Sequence, residues 1–169
     1  MRNRRGDSVN VAATYNVMSL CAGVGGLDLG IRIAVPGARS VCMVEREAYA
    51  AAVLGARMEE GWLHPAPIWL GDIGEFDPAP WRGRVHCIAS GDPCQPNSVA
   101  GKRQGADDDR WLIDQVLRIV KGVRPDRFFR ENVAGNADGQ LAALVPPLEA
   151  MGYRVAAGIF SAAEVGASH

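Results

Sequence analysis

Two kinds of hydrophobic spacing alternate along this chain. Short apolar runs of strand length occur at 15–21 (YNVMSLC), 39–45 (RSVCMVE), 67–70 (PIWL), 84–90 (RVHCIAS) and 125–133 (PDRFFRENV). A last one, YRVAAGIFSA, covers 153–162. Segments with helical spacing lie between them. In 26–35, Leu27, Ile31 and Ala34 recur at helical intervals and Pro36-Gly37 closes the run. The alanine-rich REAYAAAVLGARM (46–58) reads as a second helix. From Arg110 onward, Leu112, Val116, Ile119, Val120 and Val123 fall on one helical face. GQLAALVPPLEAMG (139–152) is helical with a fault: Pro146-Pro147 predicts that one helix ends there and a second turn restarts.

This order predicts an α/β, Rossmann-like, mostly parallel sheet with helices on both faces. One domain over 15–169 is expected behind a flexible basic tail, 1–14, which carries RNRR. The chain has 169 residues, 48% of them hydrophobic and 22% charged, ordinary values for one globular core. A net charge of −1 excludes a strongly basic nucleic-acid coat, though not a local basic face. Cysteines stand at 21, 42, 87 and 94 with no CxxC pair, so no metal site is expected. No apolar run approaches the ~18 residues of a membrane span. The opening MRNRRGDS lacks the apolar stretch of a secretory signal. The expectation is a cytoplasmic, bacterial or phage-like protein with reduced thiols.

In parallel sheets ligands bind outside the carboxyl ends of the strands. There the chain carries AGVGG (22–26), Glu45, GDI (71–73), GDPCQP (91–96) and Glu131-Asn132. The glycines let the backbone turn sharply and let a ligand approach it. They do not match GxGxxG, because the sixth position from Gly23 is Asp28, so a pyrophosphate-binding dinucleotide enzyme is disfavoured. Glu45 follows Gly25 by 20 residues, near the distance at which an acid reaches ribose hydroxyls. Asp72 is placed to accept a hydrogen bond from an adenine amino group. Ribose, adenine and no phosphate together point to S-adenosyl-L-methionine. Each feature alone reads as readily as a tight turn or a surface carboxylate.

Cys94 differs from the other three cysteines, which sit in apolar strand contexts and are expected to be inert core residues. It lies between Pro93 and Gln95-Pro96, a stiffened polar turn suited to a nucleophile. Glu131, after RFF at the next strand end, is either its electrostatic partner or a capping residue paired with a nearby arginine.

The segments SLCAGVGGLDLG, VERE, GDI, GDPCQPNS, RENV and FSAAEVGASH, in that order over 15–169, resemble the catalytic domain of DNA (cytosine-5)-methyltransferases. The resemblance implies a methyl transfer from S-adenosyl-L-methionine to C5 of a cytosine flipped out of double-stranded DNA, through a Cys94 adduct at C6. It implies catalytic roles for Cys94, Glu131, Gln95 and Asn132. The cofactor would lie against Cys21, Ala22, Gly23, Gly25, Gly26, Leu27, Glu45, Arg46, Asp72, Ile73 and Pro93. SVAGKRQG (98–105) resembles the loop that closes on DNA, with Ser98, Lys102 and Arg103 as phosphate contacts; it also reads as a solvated loop. Cys21 stands where the family often has phenylalanine, and Asp92 where an aromatic residue is frequent.

In the family FSAAEVGASH leads on into an arginine-rich motif, a target-recognition domain and a segment that completes the cofactor fold. The domain is therefore expected to be partial: a truncated enzyme, or one half of a split enzyme that needs a recognition subunit. A non-catalytic module that keeps the S-adenosylmethionine fold is the alternative.

Overall fold

The structure is a computed structural model that describes residues 14–92 and 105–167. Five strands form one sheet: β1 (Tyr15–Leu20), β2 (Ala38–Glu45), β3 (Ile68–Leu70), β4 (Cys87–Ser90) and β5 (Arg127–Arg130). All pairings are parallel and the order is β3-β2-β1-β4-β5. Helices α1 (Gly26–Ala34), α2 (Ala48–Glu59) and α3 (Gly105–Val123) connect β1 to β2, β2 to β3 and β4 to β5, two 3₁₀ turns lie between β3 and β4, and α4 (Ala137–Ala150) follows β5. Because β1 is central and the chain moves first to β2 and then returns to β4, the order reverses between β1 and β4. That reversal opens a crevice at the carboxyl ends.

The inner strands β1, β2 and β4 are buried on both faces, so they read as continuous apolar runs, whereas the edge strands β3 and β5 keep exposed residues such as Leu70 and Phe129. On one face Met18, Leu20, Cys42, Val44 and Ile88 meet Ile113, Val116, Ile119, Val120 and Val123 of α3 and Leu144 and Leu148 of α4. On the other, Val17, Cys87 and Ala89 pack with Leu27 and Ile31 of α1, and Met43 packs with Leu54 of α2 and Leu63. Alternate strand residues thus serve opposite faces, as the pleat requires.

Two expectations are corrected. The helix fault at Pro146-Pro147 does not occur, and α4 runs unbroken from Ala137 to Ala150. Leu144 and Leu148, four residues apart and 6% and 5% exposed, bury one face against the core, and this burial outweighs the lost backbone bonds. The strand expected over 153–162 is also absent. Residues 153–160 carry strand-forming side chains but pair with no strand, and 162–165 form a 3₁₀ turn. A strand exists only where a neighbour takes its hydrogen bonds. Ile159 and Phe160 are 74% and 85% exposed here, and the outer edge of β5 has no partner among the described residues.

No helix among the described residues is long and apolar enough to cross a membrane.

Candidate functional site at the carboxyl ends of the strands

The pairing register brings the strand ends to one level. Leu20 lies opposite Val44 and Ser90, Glu45 opposite Leu70, and Ser90 opposite Arg130. The next residues outward are Cys21, Gly71, Gly91 and Glu131, so four separate motifs emerge side by side with Glu45.

After β1 the chain turns through Cys21 (φ 50°), Gly23 (φ 56°) and Gly25 (φ 86°) before α1 begins at Gly26. The turn is held from β2. Glu45, 7% exposed, accepts the Gly23 N–H at Oε2 (2.7 Å) and the Arg46 and Glu47 N–H groups at Oε1 (both 2.8 Å). Ala22 N–H donates to the Val44 carbonyl (3.1 Å). These bonds occupy three of the carboxylate's roughly four lone-pair directions and leave one on Oε2. Gly23 and Gly26 have open space where a Cβ would stand. Leu27 is half-buried under the turn against the sheet. Arg46 points to solvent beside Glu47 (3.3 Å).

After β3, Asp72 caps the 3₁₀ turn 73–75, accepting the Gly74 N–H at Oδ1 (2.8 Å). Its Oδ2 makes no hydrogen bond among the described residues. The Ile73 side chain is buried in the core. Arg118 of α3 pins this turn from below, donating to the Ile73 (2.8 Å), Phe76 (3.0 Å) and Gly74 (3.3 Å) carbonyls. Nothing in the pattern around Arg118 marked it, because its partners are backbone atoms far away in sequence.

The donor set fits a nucleoside cofactor. It offers an acidic oxygen level with a Cβ-free turn, a second carboxylate oxygen one strand over, and apolar Leu70, 56% exposed, between them. Gly23 and Gly26 are open at this edge, whereas Gly25 lies against Leu63 and Leu54. Arg46 is exposed, and the Ile73 side chain is buried in the core.

Thiol chemistry around the turn is quiet. Burial first, then the carboxylates of Asp92 and Glu45, raises the Cys21 thiol to about 12, against opposing pulls from Arg46 and Arg130. Burial raises Cys42 to about 11 and Cys87 as well. All three stay protonated at neutral pH, as expected of core cysteines.

At the ends of β4 and β5 the structure shows a cluster that the sequence did not signal. Asp92, 3% exposed, takes a forked bond from Arg130: Nη2 to Oδ2 at 2.6 Å and Nε to both oxygens at 2.9 and 3.1 Å. Ser90 Oγ donates to Asp92 Oδ1 (2.8 Å), and Asn132 Nδ2 donates to the Asp92 carbonyl (2.9 Å). Glu131 N–H donates to the Ser90 carbonyl (3.0 Å), while its side chain is exposed above the sheet. Asn132 Oδ1 accepts from Val133 N–H (2.7 Å), so both ends of that amide hold backbone. Pro93, Cys94, Gln95, Ser98, Lys102 and Arg103 lie outside the described residues.

A third buried acid lies in α1. Asp28, 3% exposed, accepts from Ser19 of β1 and Ser40 of β2, both at 2.5 Å. Desolvation raises its carboxyl above the ordinary range, against the lowering by the two hydroxyls. The folded state then holds this proton more tightly than the unfolded chain does. Its stabilising effect is therefore complete below the unfolded value of ~4 and is lost as pH rises through the folded value. Urea unfolding at acidic and neutral pH should show a smaller decline toward neutral pH in Asp28→Asn than in the parent. Equal declines would mean that Asp28 is not responsible.

The comparisons with known proteins agree with this geometry. The family model for C-5 cytosine-specific DNA methylase matches residues 15–169. The type II methyltransferase M.PspPI of Psychrobacter sp. (strain TA137) is 35% identical over 156 residues, covering 88% of this chain and 35% of that protein. M.Eco47II of Escherichia coli is 36% identical over 122 residues, covering 72% and 28%. The chain thus spans about a third of the length of these curated relatives. Among solved structures, the Spodoptera frugiperda DNMT2 mutant E260A/E261A/K263A superposes with a TM-score of 0.62 at 21% identity, over 80% of this chain and 41% of that one. A putative methyltransferase from Thermoplasma acidophilum gives 0.53 at 16% identity, over 82% and 51%. Those two likenesses establish the Rossmann-like methyltransferase fold. With the family model matching all but the first 14 residues, the chain belongs to the C-5 cytosine-specific DNA methylase family.

Proposed function

We propose that this chain is the cofactor-binding and cytosine-activating part of a DNA (cytosine-5)-methyltransferase of the restriction–modification kind. The observation that carries the proposal is the meeting of three motifs at one level of the sheet. The glycine turn with Glu45 lies on one side of the crevice, and Asp92, two residues before Cys94, lies beside Glu131 on the other.

S-adenosyl-L-methionine supplies an electrophilic methyl group when bound. Glu45 accepts a ribose hydroxyl, the Gly23–Gly26 turn admits the ligand to the backbone, and Asp72 Oδ2 accepts from the adenine amine. On the target base, the Cys94 thiolate adds to C6, and the displaced electron pair makes C5 nucleophilic. Glu131 holds N3 and the exocyclic amine, offsetting the charge that develops on the ring. C5 would take the methyl group as its bond to the sulfonium sulfur breaks, with S-adenosylhomocysteine as the leaving group; a base would then remove the C5 proton, and elimination would release Cys94 from C6. Gln95 supports the Cys94 segment, and Asn132 fixes the backbone before Pro93. Ser98, Lys102 and Arg103 contact phosphates of the double-stranded DNA.

Target recognition is assigned to a partner polypeptide or to a further region of a longer protein. The β5 edge, without a partner among the described residues, and the apolar 153–160 segment support this, since both offer backbone and side chains to further structure.

The test is a covalent adduct with duplex DNA containing 5-fluorocytosine. It is run with S-adenosyl-L-methionine and with the recognition region of a relative supplied in trans. The expected result is a denaturant-resistant complex, lost in Cys94→Ser and slowed about 10²–10³-fold in Glu131→Ala. Cofactor binding with no adduct under those conditions would instead make the chain a binding module.

A further inference from the structure

We infer that Asp92 and Arg130 are a positioning pair that fixes the nucleophile's strand end against the glutamate's. The inference rests on the function proposed above for Cys94 and Glu131, but its geometry stands on described residues at the ends of β4 and β5 and in α4.

The pair has unusual features for a surface-proximal contact. Both side chains are buried, the Arg130 side chain to 11% exposure and that of Asp92 to 2%. The guanidinium meets both carboxylate oxygens, a forked contact that fixes distance and twist together, as a single point charge would not. Its remaining arm reaches Gln140 Oε1 in the first turn of α4 (2.7 Å). Ser90 occupies the carboxylate from the β4 side, and Asn132 holds the carbonyl of the same residue. The Asp92 bonds join the end of β4 to itself and to the end of β5, and the Gln140 bond ties the end of β5 to α4.

The covalent chain converts that clamp into a constraint on chemistry. Arg130 is bonded directly to Glu131, and Cys94 follows Asp92 by two residues, a reach of at most ~7 Å. A slip or twist between β4 and β5 would move the two reacting groups relative to each other. The fork opposes both motions. The same pair acts electrostatically on the neighbouring strand end, since Asp92 raises the Cys21 thiol and Arg130 lowers it. Paired, the two charges oppose each other there. Unpaired, either would impose its sign on groups nearby, Cys94 included.

The distinguishing measurement is the pH dependence of Cys94 alkylation by iodoacetamide, located by peptide mapping in the folded full chain. Asp92→Asn strands the Arg130 cation and should lower the midpoint, whereas Arg130→Met strands the Asp92 carboxylate and should raise it. Each shift is expected near one unit, a tenfold change in thiolate fraction at fixed pH. The double variant Asp92→Asn/Arg130→Met removes both charges and should return the midpoint to the parent's while its DNA adduct stays slow. Glu45, Arg46 and Glu131, the other charges at these strand ends, are common to all four proteins and cancel in the comparison. Shifts of the same sign, no shifts, or a Cys94 that does not react would overturn the inference. So would a double variant with the parent's adduct rate. If the parent forms no DNA adduct but the opposed shifts appear, the proposed function fails and the positioning geometry survives.

Discussion

Glu45→Ala is expected to weaken S-adenosyl-L-methionine binding at least ~100-fold and to destabilise the fold by about 2–4 kcal/mol. Two roles of one carboxylate combine in this effect. In the folded chain it is the acceptor for three backbone N–H groups, those of Gly23, Arg46 and Glu47. Hydrogen bonds to a charged group contribute roughly 1.5–3 kcal/mol each. Water can replace the acceptor at the exposed Arg46 and Glu47, so the full sum is not reached. Gly23 matters more, because its bond spans from β2 to the glycine turn and shapes the surface a ligand meets. Glu45→Gln keeps one acceptor oxygen and should retain most of the stability while losing much of the affinity. Calorimetric titration and urea unfolding separate the two effects. An affinity for Glu45→Ala within about threefold of the parent would remove Glu45 from the cofactor site.

Gly25→Ala should lower stability by about 2–4 kcal/mol, a melting-temperature drop on the order of 10 °C in a chain of this size. The backbone at Gly25 has φ 86°, where a side chain costs roughly 1–2 kcal/mol. A Cβ there would also stand 2.5 Å from Leu63 Cδ1 and 3.0 Å from Leu54 Cδ2. Both leucines belong to the buried cluster under α2, so they yield only by disturbing Met43. Gly26→Ala makes the internal control. It opens α1, has open space at its Cβ and no positive φ, and should change stability by less than about 0.5 kcal/mol. Equal melting temperatures for the two variants would show that the tight approach at Gly25 is not what the glycine serves.

The parallel sheet was legible because its inner strands β1, β2 and β4, buried on both faces, are short continuous apolar runs that stand apart from the helical segments. β1, β2, β4, β5 and α1 lie within a few residues of the spans read from spacing. The glycine turn, Glu45 and Asp72 were legible because chemistry at strand ends is concentrated at one edge by topology alone. What could not be read depends on partners. Residues 153–162 have the composition of a strand, yet no strand lies beside them to take their hydrogen bonds. The α4 prolines were judged by local backbone cost, and the burial of Leu144 and Leu148 outweighed it. Asp28 with Ser19 and Ser40, and Asp92 with Arg130, are polar groups inside apolar surroundings. Their partners come from different elements, so only the folded sheet brings them together.

The common level of the strand ends has a further consequence for how this protein can change. A residue inserted within any strand would push its terminal motif about 3.3 Å outward and turn its side chains to the opposite face. Glu45 would then point away from Gly23, or Glu131 away from the crevice, unless a bulge absorbed the extra residue, as β2 already does between Ser40 and Cys42. Additions between strands leave the edge untouched. The sheet behaves as a ruler read at one end, so growth and shrinkage are confined to helices and connections.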